Sequence, residues 1–260
     1  MKPVRAIVLT YDKYRVFTDH MIRCYEKLWP NHPFIFHVPY QELPRTVSGE
    51  RVKYIRCSSG IKATVELLLE NFDDEEWVYW CIDDKYPLQL DVQRIESIHR
   101  NLIDTKKHGM DGLLFCRCRG MLDKKNLTGK KIVDDQGDVF LERKNYEQIW
   151  IHQYLKVKVL RQLFNSFPEK IPAAKIMDSL KAQVKKPQNH QIYVTGESLG
   201  VFGESTTRGV ITRNCYKSLE QHNLTLPSWC THVTTQEIVM GHDSRTAFSR
   251  LIKRFTKYFS

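Results

Sequence analysis

At 260 residues, 42% of them hydrophobic and 27% charged, the chain suits one α/β domain with a sizeable core and has an ordinary soluble composition. No apolar run approaches the ~20 residues needed to span a bilayer, and Met1-Lys-Pro3 leads straight into a strand without a signal-peptide h-region, so the expectation is a cytoplasmic protein. The net charge of +10 permits anionic partners (nucleotide phosphates, an acidic membrane face, nucleic acid) without choosing among them.

In chain order, Val4–Thr10 reads as a strand of β-branched and aliphatic residues. Phe17–Leu28 follows as a helix, with Met21, Cys24, Tyr25 and Leu28 at helical spacing and Trp29-Pro30 as its stop. Phe34–Val38 and Val52–Arg56 are two further strands. Ile61–Phe72 is a strongly patterned helix with Ile61, Val65, Leu68, Leu69 and Phe72 on one face. Trp77–Ile82, six mostly apolar or aromatic residues, reads as a strand covered on both faces, which Pro87 is expected to keep from continuing. Val92–Ile103 is the next helix and Gly112–Cys118 the next strand. This alternation predicts a mostly parallel, doubly wound sheet with right-handed crossovers.

The second half is less regular. Lys130–Val133 and Val139–Glu142 flank Asp134-Asp-Gln-Gly-Asp138, a hairpin turn. Ile149–Phe167 is expected to be helical for its greater part, and Ala173–Val184 is a second helix. Gln191–Val194 reads as a short strand before a stretch bearing Gly196, Gly200 and Gly203. Arg245 to Ser260 carries five basic residues and no acidic ones, with Phe248, Leu251, Ile252, Phe255 and Phe259 on one helical face. Such a helix can lie on an anionic membrane, or pack its apolar face on the domain.

The seven cysteines (24, 57, 81, 116, 118, 215 and 230) are odd in number and scattered, which suggests free thiols in a reducing compartment. Cys116-Arg-Cys118 lacks the two-residue spacer of a zinc pair. Asn126-Leu-Thr128 and Asn223-Leu-Thr225 match the glycosylation sequon by pattern only. No P-loop is present, no Gly-x-Gly-x-x-Gly follows the first strand, and neither a nucleophile elbow nor a zincin motif occurs. His242-Asp243 leaves two readings, an imidazole beside a metal or a loop histidine before a helix cap.

What stands out is Asp83 and Asp84 at the end of the Trp77 strand. Ligands of open α/β sheets bind at carboxyl strand ends, and two carboxylates there can hold a divalent cation that clamps a diphosphate. The alternative is an acidic turn capping the next helix. At the end of the first strand, Tyr11 or Tyr14 could stack on a base and Asp12 accept hydrogen bonds, unless Asp12 serves as a helix cap.

Taken together, Thr10-Tyr-Asp at the first strand end, Ser58-Ser-Gly-Ile before a helix, and Trp80-Cys-Ile-Asp-Asp-Lys-Tyr-Pro87 resemble the GT-A class of nucleotide-sugar-dependent glycosyltransferases, in particular small bacterial-type members. Ile151-His-Gln-Tyr-Leu155 and Ile192-Tyr-Val-Thr-Gly-Glu-Ser198 resemble later segments of that class. The resemblance implies a GT-A-like, Rossmann-like α/β fold: one domain over 1–260, with a nucleotide-sugar half (1–118), an irregular acceptor half (119–244) and the basic helix 245–260. It implies Mn²⁺ or Mg²⁺ at Asp83 and Asp84, bridging the diphosphate of a nucleoside-diphosphate sugar, and an acidic base toward the acceptor hydroxyl if the reaction inverts the anomeric centre.

Residue by residue, Thr10, Tyr11 and Asp12 would meet base or ribose, Arg56 or Lys62 the phosphates, and Asp178 would be the base. The sequence departs from the usual Asp-x-Asp: the run is Ile82-Asp83-Asp84-Lys85, so one carboxylate is missing or displaced and Lys85 can supply positive charge directly. The expected reaction is sugar transfer to a glycan or lipid-linked acceptor in polysaccharide assembly, beside a membrane touched through 245–260. The rivals are a nucleotidyltransferase, or a non-catalytic nucleotide- or nucleic-acid-binding module. The absence of an RNA- or DNA-recognition signature argues against nucleic acid.

Overall fold

The aliphatic run Val4–Leu9 forms β1, and its side chains alternate between two cores: Val4, Ala6 and Val8 face one, Ile7 and Leu9 the other. β2 (Phe34–Tyr40) and β3 (Val52–Arg56) lie parallel to it on one side, and β4 (Trp77–Ile82) lies parallel on the other. The computed structural model describes residues 1–42, 49–104, 109–116, 124–171, 173–235 and 238–241. The basic segment 245–260, the His242-Asp243 pair and Cys118 lie outside them.

β4 is the centre of the molecule. All six of its residues are buried, Trp77, Tyr79 and Cys81 on one face and Val78, Trp80 and Ile82 on the other. The first face packs on α1 (Arg15–Leu28), entered through a 3₁₀ turn at Asp12–Tyr14. It also packs on α3 (Val92–His99), which is capped by Asp91 and continued by a π-helical turn over Arg100–Asp104. The second face packs on α2 (Ile61–Leu69) and α4 (Val157–Asn165). Helices on both faces are what a continuous apolar strand requires.

The sheet continues into residues of the second half. In the order β3-β2-β1-β4-β9-β6-β10-β8-β7, β6 is Gly112–Leu114, β7 Leu127–Val133, β8 Val139–Arg143, β9 Gln153–Lys156 and β10 Ile192–Thr195. β9 and β8 are antiparallel to their neighbours, so these two run against the other seven. The expected architecture is therefore what forms: a Rossmann-like α/β fold with a mostly parallel central sheet flanked by helices. The predicted hairpin joins β7 and β8, with Asp134 Oδ1 accepting from Gln136 N and Asp138 N and Gly137 at φ +84°.

Two expectations are corrected. Ile149–Phe167 is not mostly one helix: its first part supplies β9, wedged between β4 and β6, and the helix α4 spans only Val157–Asn165. Pro87 does not stop a strand; it lies inside β5 (Lys85–Leu90), which begins directly after the acidic pair and enters a second sheet, β15-β11-β5. β5 is an edge strand there, where a residue without N–H is tolerated, and its partner β11 (Gly200–Glu204) is irregular opposite Pro87. β12 (Thr206–Thr207), β13 (Val210–Thr212) and β14 (Val233–Thr234) form a small third sheet; β15 is Val239–Met240. α5 spans Met177–Gln183, after a 3₁₀ turn at Ala174–Ile176. α6 spans Arg213–Gln221, with Thr212 as its N-cap. Among the described residues no helix is long and apolar enough to cross a membrane.

Candidate active site

Parallel pairing in register sets the ends of β1 and β4 side by side: Leu9 lies opposite Ile82, and Asp83 N–H still donates to Leu9 O at 3.3 Å. The next side chains therefore meet. Thr10 Oγ1 donates to Asp83 Oδ2 at 2.7 Å and accepts from Thr18 Oγ1 at 2.8 Å. Asp83 is only 9% exposed. Burial, then the neighbouring Asp84 charge, push its carboxyl up to about 7, against the Thr10 hydrogen bond and Lys85, which pull it down.

A buried relay fixes the end of β4. His152 Nε2 lies 2.9 Å from Ile82 O, which can only accept, so this nitrogen carries the proton and Nδ1 accepts from Tyr25 Oη at 2.8 Å. Tyr25 then accepts from Tyr79 Oη, also at 2.8 Å. Burial pushes His152 down to about 4, which keeps it neutral in this role.

Asp84 turns the chain into β5. Its backbone carbonyl accepts from Ser205 N at 2.8 Å, and its Oδ2 accepts from Lys85 Nζ at 2.6 Å. Lys85 also lies 3.5 Å from the buried Glu204. Asp84 Oδ1 is buried and finds no hydrogen-bond partner among the described residues. A divalent cation here would meet two carboxyl groups at carboxyl strand ends, Asp83 and Asp84 Oδ1, and would have to displace the Asp83 proton that burial favours. Lys85 is the competing cation. Gly203 permits this closure, since a Cβ there would stand 2.7 Å from the Tyr86 ring.

An aromatic ledge adjoins Thr10. Tyr11, 47% exposed, meets Tyr14 edge-on at 4.9 Å, and Tyr14 meets Trp229 edge-on at 5.2 Å. Lys13 Nζ lies 4.8 Å from the Trp229 ring centroid. Burial, with Tyr11 and the Asp83 charge adding to it, pushes the Tyr14 hydroxyl up to about 12.

The other predicted residues are placed differently. Asp12 accepts from Gln41 N and Glu42 N and pairs with Arg15, so its carboxylate holds the segment after β2. Arg56 is exposed at the end of β3. Lys62 is buried and engaged, donating to Phe167 O at 3.2 Å and Glu169 Oε1 at 2.6 Å. Asp178 is exposed on α5 and pairs with Lys181 at 3.2 Å. Thr10, Asp83 and Asp84 thus come together, with Tyr11 beside them, whereas the contacts of Lys62 and Asp178 lie with other partners. Sequence reading assigned no role to His152, Ser205, Glu204 or Trp229. His152 had a signal, a histidine inside an apolar run, but its partners are distant in sequence.

The sheet and its two helical faces define an α/β chain with a mostly parallel central sheet. Among solved structures it is similar to the S. aureus protein TarS (residues 1–349), at 14% identity over 77% of this chain, with a TM-score of 0.46; the chain spans 59% of that fragment. It is also similar to the galactosyltransferase LgtC in complex with donor and acceptor sugar analogs, at 12% identity over 98% of this chain and 94% of that one, with a TM-score of 0.39. A third likeness is to 4-diphosphocytidyl-2C-methyl-D-erythritol synthase from Anaerococcus prevotii, at 10% identity over 85% and 96% of the two chains, with a TM-score of 0.42. No family model and no curated protein matches the chain.

Proposed function

We propose that this chain is a glycosyltransferase that moves a sugar from a nucleoside-diphosphate sugar to a glycan or lipid-linked acceptor, with the diphosphate at the Asp83–Asp84 turn. The observation that carries this reading is the buried Asp83, locked by Thr10, next to Asp84 Oδ1, which has no hydrogen-bond partner among the described residues, at the carboxyl ends of two parallel strands. Asp83 and Asp84 would hold Mn²⁺ or Mg²⁺, which when bound offsets charge on the leaving nucleoside diphosphate. Thr10 fixes the Asp83 carboxylate, and the exposed face of Tyr11 offers a stacking surface for the base.

Arg56 is open to a phosphate, whereas Lys62 would first have to leave Glu169. Asp178 would serve as base only for an acceptor reaching α5, and Asp12 would meet the ribose only by releasing 41–42. Acidic-membrane contact through 245–260 and a place in polysaccharide assembly inside the cell belong to the same proposal. Liposome flotation with and without that segment tests the membrane contact, and equal flotation removes it.

The deciding experiment is thermal stabilisation by a panel of nucleoside diphosphates and their sugars, with and without Mn²⁺, on the wild type and on Asp83→Asn and Asp84→Asn. A ligand at 100 times its Kd adds about 2.7 kcal/mol. A metal-dependent rise lost in both variants is expected. No rise with any nucleotide overturns the donor site. A nucleotidyltransferase is the second reading, favoured by the same carboxylate pair; release of pyrophosphate from a nucleoside triphosphate, in place of a nucleoside diphosphate from a sugar donor, would select it.

A further inference from the structure

A second cluster of ligating side chains sits between α1 and the end of α6, against Tyr86 of β5. α1 carries His20 and Cys24 one helical turn apart, so both project from one face. The C-terminal end of α6 brings His222 to them. Cys24 Sγ is 3.4 Å from His20 Nε2 and 3.6 Å from His222 Nε2, and the three ligand atoms all lie within 4.8 Å of one another. Tetrahedral zinc, with Zn–N of about 2.0–2.1 Å and Zn–S of about 2.3 Å, places its nitrogen and sulfur ligands about 3.5 Å apart. Two edges of such a tetrahedron are already at length.

Ser218 Oγ lies beside the cluster, hydrogen-bonded to His20 Nε2 at 2.7 Å and 4.0 Å from Cys24 Sγ. Cys215 Sγ lies 3.9 Å from the other ring nitrogen of His20, as an outer partner that orients the imidazole. His222 is only half-buried, which gives an ion a path in. Arg23 Nη1 donates to His222 O at 2.7 Å, and the His20 ring lies 4.5 Å from the Tyr86 ring, so the cluster is braced by α1 and β5 together.

We propose that His20, Cys24 and His222 bind one zinc ion, with Ser218 Oγ or a water as fourth ligand, in a structural site that pins α6 to α1. Two imidazoles and a thiolate are a soft donor set that selects zinc over magnesium or manganese, the opposite preference to the Asp83–Asp84 oxygens. As the Zn–S bond forms, the Cys24 thiol gives its proton to solvent, so loading releases one proton from the cluster. The site is independent of the glycosyltransferase reading.

The test uses the full chain, stripped with a chelator and reloaded with Zn²⁺ or Co²⁺, with metal content by mass spectrometry and the cobalt spectrum as readouts. One zinc per chain is expected, together with a thiolate-to-cobalt charge-transfer band and intense tetrahedral d–d bands. Cys24→Ser should lose the charge-transfer band, and the half-exposed position makes His222→Asn a variant that keeps the fold and weakens zinc at least tenfold. Cys57→Ser, a buried thiol elsewhere, and Asp83→Asn should leave both readouts unchanged. A wild-type cobalt spectrum without thiolate ligation overturns the proposal whatever the variants do. So does stoichiometric zinc that survives both cluster substitutions or vanishes with Asp83→Asn.

Discussion

Replacing Asp83 with asparagine should stabilise the chelator-treated protein at alkaline pH. The ordinary carboxyl value is 3.8, and in the folded chain burial and Asp84 raise it to about 7. Each tenfold step in a proton equilibrium is worth about 1.4 kcal/mol, so the span amounts to about 4 kcal/mol. Below pH 3.8 both native and unfolded chains hold the proton and native stability is full. Between 3.8 and 7 the unfolded chain releases it while the native chain keeps it, so stability falls as pH rises, and above 7 the contribution is lost. Asparagine carries no such proton and its Oδ1 can still accept from Thr10. The variant should therefore match the wild type near pH 4 and exceed it by up to about 4 kcal/mol at pH 8, roughly 8–16 °C in Tm for a chain of this size. Differential scanning fluorimetry across pH in chelator measures this. A variant less stable than wild type at pH 8 would refute the reasoning, because it would mean that Asp83 is ionised and well solvated in the native state.

Two further outcomes follow from the same neighbourhood. His152→Leu removes the donor to Ile82 O and the acceptor of Tyr25, so about 1–3 kcal/mol should be lost in urea unfolding, with weaker nucleotide stabilisation because the end of β4 loosens; an unchanged midpoint would mean the relay holds nothing. Gly203→Ala places a methyl 2.7 Å from the Tyr86 ring, a buried aromatic with little room to yield, and should cost about 1–3 kcal/mol, part of which Tyr86→Leu restores.

Much of the first half was readable because its elements obey one period at a time. Val52–Arg56 and Trp77–Ile82 form as expected, and Asp83 could be placed by the rule that open sheets bind at carboxyl strand ends. The misreading of Ile149–Phe167 has a physical cause: β9 is central, so Tyr154 and Leu155 are buried on opposite faces, and only Lys156 separates them from the apolar face of α4 that starts at Val157. α6 gave little signal because only Cys215 and Leu219 of its nine residues are buried. Within the site, Thr10 and Asp83 are neighbours through strand register, which the sequence suggests. His152 reaches Ile82 across 70 residues, and Cys24 reaches His222 across 198, separations at which spacing says nothing.

The placement of β9 also governs when the sheet can be built. β4 is flanked by β1 on one side, and among the described residues its other edge is covered by residues 153–156 alone; β6 enters the sheet between β9 and β10. A nascent chain that has emerged only as far as the Gly112 strand therefore presents a tryptophan-bearing strand with an open row of N–H and C=O groups, the arrangement most prone to pair with another chain. The assembly of this fold is limited by a long-range closure, and a cut near residue 118 would sever a sheet rather than separate two folding units.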